Sequence, residues 1–273
     1  MDQIDLIANL YTRLPDNLTI SDARTNRESV IDAMRNDDFD PYISRRLPIL
    51  NDAFGTRAFS PSFVKGAAIL VAFPDYPVNT DSFYGYTEHV GHGGVILINR
   101  SGLTKFYDYG RYSPEGAHGR ARRIVIPNVD MKGGQPTEES LKHLMSRLSA
   151  RMQQQATGNP PQRIRAAYFR TMNFGKMNAF AKNWVLKSNR SSPAFDPTRK
   201  KYSIRSFNCG HFAETVILRG NPKVDRPWML IPTPNNFVDE YIEEGNAEIT
   251  YDPSANAISI GWNDANESDA KLP

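Results

Sequence analysis

Cysteine is nearly absent from this chain: its 273 residues include one, Cys209. A lone thiol excludes an internal disulfide and a paired-cysteine zinc site, so cysteine usage marks no oxidising compartment. No apolar run approaches the ~20 residues needed to cross a bilayer. No Gly-rich phosphate loop, no His/Cys cluster at metal-ligand spacing and no internal repeat is found, so neither metal nor organic cofactor is expected. Charge of one sign is also scarce. Lys and Arg total 33 against 30 Asp and Glu, a formal net charge of +3. That excess is too weak to argue for nucleic-acid binding, but it suits an anionic partner such as cell wall or lipid headgroups. The opening Met1-Asp2-Gln3-Ile4-Asp5 lacks a basic segment followed by a long apolar core. The expectation is a protein made soluble in the cytoplasm, whose export uses a route other than a classical signal peptide.

What is present is a 40% hydrophobic composition, enough for one large core with or without an extension. Residues 1–64 read as a helical N-terminal extension: Ile4, Ile7, Leu10, Tyr11 and Leu14 follow helical spacing until Pro15, and Val30, Ile31 and Met34 suggest a second short helix. This segment would cap the main fold or dock on a carrier. From Gly66 the texture changes. Ala67 to Phe73 is a continuous apolar run of central-strand type, and His92 to Asn99 is a second strand. Arg100-Ser101-Gly102 turns the chain into a return strand, Thr104 to Gly110.

Further along, Ile124 to Pro127, Ile164 to Phe169 and Lys201 to Phe207 read as strands. Leu141, Leu144, Met145, Leu148 and Met152 give a helix capped by Thr137, and Phe174 to Val185 gives another. Phe212 to Leu218 is a third helix, and Phe237, Tyr241 and Ile242 suggest a fourth. Ala247–Tyr251 and Ala257–Trp262 form a hairpin turning at Asp252-Pro253-Ser254. The fold class is therefore α+β, an antiparallel sheet with packed helices over residues 65–273.

The chemistry centres on Cys209, where a strand gives way to a helix. Asn208 is a good N-cap, so Cys209 falls in the first helical turn, where unpaired amides and the helix dipole favour a thiolate. By itself a lone cysteine is most often a small buried hydrophobe. A catalytic one needs an imidazole. His92 opens an aliphatic strand, and the hairpin can bring Asp108 beside it to fix the imidazole tautomer. His89 competes with His92 but is not followed directly by the strand. The stretch Ser113 to Arg123, with His118 and the arginines 120, 122 and 123, reads as an exposed basic loop.

A histidine opening a strand, followed later by a cysteine opening a helix, resembles the circularly permuted papain-like superfamily. That superfamily includes the NlpC-type cell-wall peptidases and the lecithin-retinol acyltransferase relatives. Asn208-Cys209-Gly210-His211-Phe212 is similar to the acyltransferase branch's Asn-Cys-Glu-His-Phe, with Gly210 replacing its Glu. His92-Gly93-Gly94-Val95 resembles the strand start of both branches. Together with Tyr107-Asp108-Tyr109-Gly110-Arg111-Tyr112, the pattern most resembles type VI secretion effectors of this permuted type, across roughly residues 66–220.

The resemblance implies a thiol-dependent acyl transfer by Cys209 and His92, with Asp108 as third member. The Cys209 amide and one of Tyr84, Tyr86 or His89 would be the oxyanion donors. It also implies a peptidoglycan amidase or endopeptidase acting in a rival's periplasm, with a secretion carrier and a cognate immunity protein. The alternative is a phospholipase or acyltransferase acting on membrane lipid through the same site.

Overall fold

The computed structural model describes residues 65–76, 91–112, 118–155, 161–203, 206–226, 229 and 233–263. The expected extension over residues 1–64 lies outside the described residues, as do Tyr84, Tyr86 and His89.

Among the described residues, seven strands form one antiparallel sheet around β1 (Lys65–Phe73). On one side β1 pairs with β2 (His92–Asn99), which continues to β3 (Thr104–Gly110) and β4 (Arg120–Ile124). On the other it pairs with β7 (Ile164–Asn173), then β8 (Ala247–Asp252) and β9 (Ala257–Trp262). Both faces of β1 are covered, so Ala67 through Phe73 are all buried, and this is why the segment is apolar without alternation. A separate hairpin, β5 (Met131–Lys132) and β6 (Gln135–Pro136), turns at Gly133 and Gly134 with φ of 59° and 79°. Two successive left-handed residues are what a tight hairpin turn asks for, and glycine supplies them without strain.

Helix α1 (Glu138–Gln155) covers one face of the sheet. Its stripe of Leu141, Leu144, Met145, Leu148 and Met152 packs with Ile69, Val71, Ile96, Phe106 and Ile249. Each such side chain contributes about 1.5–3 kcal/mol by leaving water. Glu138 and Glu139 suit the helix's positive end. Helices α2 (Phe174–Ser188), α3 (Cys209–Gly220) and α4 (Pro234–Glu244) cover the opposite face. Alternation on β3 makes this a three-layer arrangement. Phe106 points into the α1 layer, whereas Tyr107 donates its hydroxyl to Asn178 of α2 and Tyr109 stacks on Phe212 of α3.

Two expected strands differ. The first strand falls at Arg120–Ile124, where it pairs with β3, and not at Ile124–Pro127. Beyond Ile124, Ile126 and Val129 turn into the α1 core, Val125 is left 86% exposed, and Pro127 cannot donate to a ladder. The segment Lys201 to Phe207 makes two isolated bridges, His118↔Lys201 and Ser203↔Phe207. Its aromatic residues Tyr202 and Phe207 pack on the Tyr109 ring instead of alternating along a ladder.

The start of α3 is fixed against α4 at Gly210. A Cβ there would overlap the Phe237 ring, with Cγ and Cε2 both 2.8 Å away. Gly→Ala inside a helix ordinarily stabilises by up to about 1 kcal/mol. Here Gly210→Ala is expected to destabilise by about 1–3 kcal/mol through overpacking. In thermal or denaturant unfolding the loss should shrink in a Phe237→Leu background; equal losses in both backgrounds would dismiss this contact.

Candidate active site

Strand register assembles three polar side chains before any helix is considered. His92 pairs with Phe73, Gly94 pairs with Asp108, and Asp108 pairs with Arg122. His92 and Gly94 share a face, so His92 is a diagonal neighbour of Asp108 and Arg122 is directly opposite it. His92 Nε2 lies 3.0 Å from Asp108 Oδ2. Arg122 donates from Nε to Oδ1 at 3.1 Å and from Nη2 to Oδ2 at 2.6 Å, a bidentate fork. Tyr112, two residues beyond the end of β3, donates its hydroxyl to Asp108 Oδ2 at 2.9 Å and stands 3.0 Å from His92 Nε2. The Arg122 guanidinium lies 3.2 Å from the centre of the Tyr112 ring. Phe73 stacks on the imidazole, with centroids 6.3 Å apart, and Tyr76 approaches it at 5.1 Å.

The cysteine arrives from α3. Asn208 caps that helix, accepting from the amides of Gly210 at 2.8 Å and His211 at 3.2 Å, while the His211 side chain returns a contact to the Asn208 amide. This reciprocal cap holds the first turn rigid. The Cys209 amide is not among those the cap takes. Cys209 is buried, and its side chain lies close enough to His92 and Tyr202 to act on the ionisation of both. Among the described residues no group of three or more His, Cys, Asp or Glu is arranged to hold a metal.

A family model described as "type VI secretion system effector TseH-like" matches residues 68–225, more than half of the chain. This chain belongs to the TseH-like family of type VI secretion effectors. The matched span contains His92, Asp108, Arg122 and Cys209. A crystal structure of the type VI secretion system effector TseH superposes with a TM-score of 0.60 at 26% identity, covering 73% of this chain and all of that one. No curated protein matches the sequence.

The electrostatics of this effector's site follow from its burial. Desolvation pulls the His92 pKa down, but the charge on Cys209 and the hydrogen bonds to Asp108 and Cys209 outweigh it and push the value up to about 9. Burial likewise works against the Asp108 carboxylate, yet the hydrogen bonds from His92 and Arg122 hold it below the usual carboxylate range. Desolvation, together with the charges of Cys209 and its hydrogen bond, raises the Tyr202 phenol, which therefore stays a donor. Tyr112 is raised in the same way by burial and by Asp108.

The sequence-derived residues Cys209, His92 and Asp108 are thus brought together. Four neighbours lie outside that set. Tyr112 follows the strand in the quoted motif. Arg122 falls in the stretch read as an exposed loop, part of which is instead strand β4 with Arg122 turned onto Asp108. Tyr202 and Tyr76 carry no spacing signal that separates them from core aromatics. His118, from the same stretch, bridges to Lys201 instead.

The His92 imidazole is expected to titrate near 9 and to move down in Cys209→Ala, because the sulfur's charge is the largest influence holding it up. NMR titration, with assignment by His92→Gln, checks this; an unchanged value would assign the shift to the carboxylate alone. The sign for stability follows. The folded value lies above the ordinary 6.5, so the contribution is complete below pH 6.5 and is lost as pH rises through about 9. The unfolding free-energy gap between wild type and His92→Gln should narrow over that window.

Proposed function

We propose that this effector is a cysteine hydrolase of permuted papain-like type, cleaving an amide in peptidoglycan stem peptides. The observation that carries the reading is one imidazole beside a helix-terminal thiol and hydrogen-bonded to a buried carboxylate. Asp108 and Tyr112 hold the Nε2–H tautomer, leaving the Nδ1 lone pair to accept the Cys209 proton. The thiolate attacks the scissile carbonyl, and the oxyanion is received by the Cys209 amide. Tyr202, whose ionisation Cys209 influences, is the second donor. The imidazolium returns its proton to the leaving amine and a thioester remains. Water, deprotonated by His92, then releases the acid and regenerates the thiol. Because the sulfur is buried, substrate reaches it only by displacing neighbouring side chains.

Membership of a secretion effector family and the mild positive charge support a cell-wall substrate in the periplasm of a target cell. A cognate immunity protein and a secretion carrier belong to the same reading. The test is mass-spectrometric product analysis on purified peptidoglycan and, in parallel, on phospholipid vesicles. Wild type is expected to release muropeptide fragments, with Cys209→Ala and His92→Ala each reducing release by roughly 10³-fold or more while remaining folded. Asp108→Ala is expected to lose less, as an orienting group does. Cys209-dependent lysolipid or free fatty acid would transfer the site to lipid hydrolysis, and release that persists in both alanine variants would overturn the assignment.

A further inference from the structure

Asp108 has no exposed surface, and a carboxylate on a strand can rotate about its own bonds. A buried oxygen pair that must aim one lone pair at an imidazole therefore needs something to fix its plane. The register supplies that group: Arg122 is paired directly with Asp108 across β3 and β4, and its planar fork spans both oxygens. Tyr112 closes the arrangement, its hydroxyl between Asp108 Oδ2 and His92 Nε2 and its ring beneath the guanidinium. Each member fixes another: the ring orients the guanidinium, the guanidinium the carboxylate, and the carboxylate the imidazole.

The geometry points to Arg122, assisted by Tyr112, as the positioning residue of this site, acting on His92 through the plane of the Asp108 carboxylate. This rests on the hydrolase reading above and extends it to residues that touch neither the sulfur nor a substrate carbonyl. The competing role is simple charge matching, in which any cation beside Asp108 would serve. The two differ in what lysine can replace. Lysine restores the charge but, as a compact ammonium, does not hold both carboxylate oxygens in one plane.

The full chain is compared as wild type, Arg122→Lys and Tyr112→Phe, each first shown folded by circular dichroism. Two readouts are taken: the downfield NMR resonance of the His92 Nε2 proton held by Asp108, and kcat and KM on purified peptidoglycan. In Arg122→Lys the resonance is expected to broaden or vanish. kcat should fall roughly 10- to 100-fold with KM little changed, the size usual for loss of an outer-shell orienting group. Tyr112→Phe, which leaves the ion pair intact, should weaken the resonance and lower kcat by less. Arg122→Lys with wild-type resonance and kcat would overturn the proposal in favour of charge matching alone. If Arg122→Lys does not fold, unchanged readouts in Tyr112→Phe overturn it instead. Wild type without Cys209-dependent turnover would sink the hydrolase reading, while the resonance would still decide whether the clamp orients His92.

Discussion

A carboxylate with no exposed surface, Asp108, is the constraint on which this site depends. Removing one partner from a buried ion pair typically costs about 3–5 kcal/mol, because the other charge is left without water or counter-charge. Asp108 must therefore be matched from inside the fold. The match comes from β4, whose place at the sheet edge brings Arg122 directly opposite. That requirement explains why a strand rich in arginine, and not the apolar segment just after it, pairs with β3. The imidazole is then the remaining neighbour on the same face, and its position follows from pairing along β2 and β3. Charge burial and strand register are here one constraint described twice.

The thiol half of the site depends on packing. Helix α3 lies on the face opposite α1, and its first turn is held by the Asn208 cap on one side and by Phe237 of α4 against Gly210 on the other. A second tie between the two helices lies a little over one turn further on, where Tyr241 donates to the buried Glu214 at 3.0 Å and Arg226 approaches the same oxygen at 3.3 Å. Burial raises the Glu214 carboxyl while the Tyr241 bond and Arg226 oppose the rise. The glycine after the cysteine, where the acyltransferase-type motif has glutamate, thus has a local cause: the space is occupied by Phe237.

The apolar stretches were legible because their periods are physical. Ala67 to Phe73 reads as a doubly covered strand, and the α1 stripe reads as one buried face. The C-terminal hairpin is announced by Asp252-Pro253-Ser254, and Ser254 does donate to the Asp252 carboxylate, with its amide at 2.8 Å. Cys209, His92 and Asp108 were reachable from the sequence because each sits at the start of a helix or on a hairpin strand, where local chain direction is predictable. Arg122 was not. Its role depends on which residue lies across a strand pair, and a run with arginines at 120, 122 and 123 looks the same whether it is paired or solvated. Tyr202 failed for a related reason: nothing in Lys201 to Phe207 distinguishes an alternating strand from an irregular segment that folds its aromatics onto Tyr109.

Arg122 and Asp108 form a matched charge pair, and the same carboxylate holds the His92 imidazole through a hydrogen bond. That matching lets the aromatic rings of Phe73, Tyr76 and Tyr112 crowd around the imidazole. Excluding water in turn strengthens every remaining interaction, since Coulomb energy scales inversely with the local dielectric constant. Had Asp108 been unmatched, its pull on His92 would have grown as the site dried. Arg122 limits that pull. The bidentate pair at the sheet edge thus shares the buried carboxylate with the imidazole instead of leaving its whole charge to it.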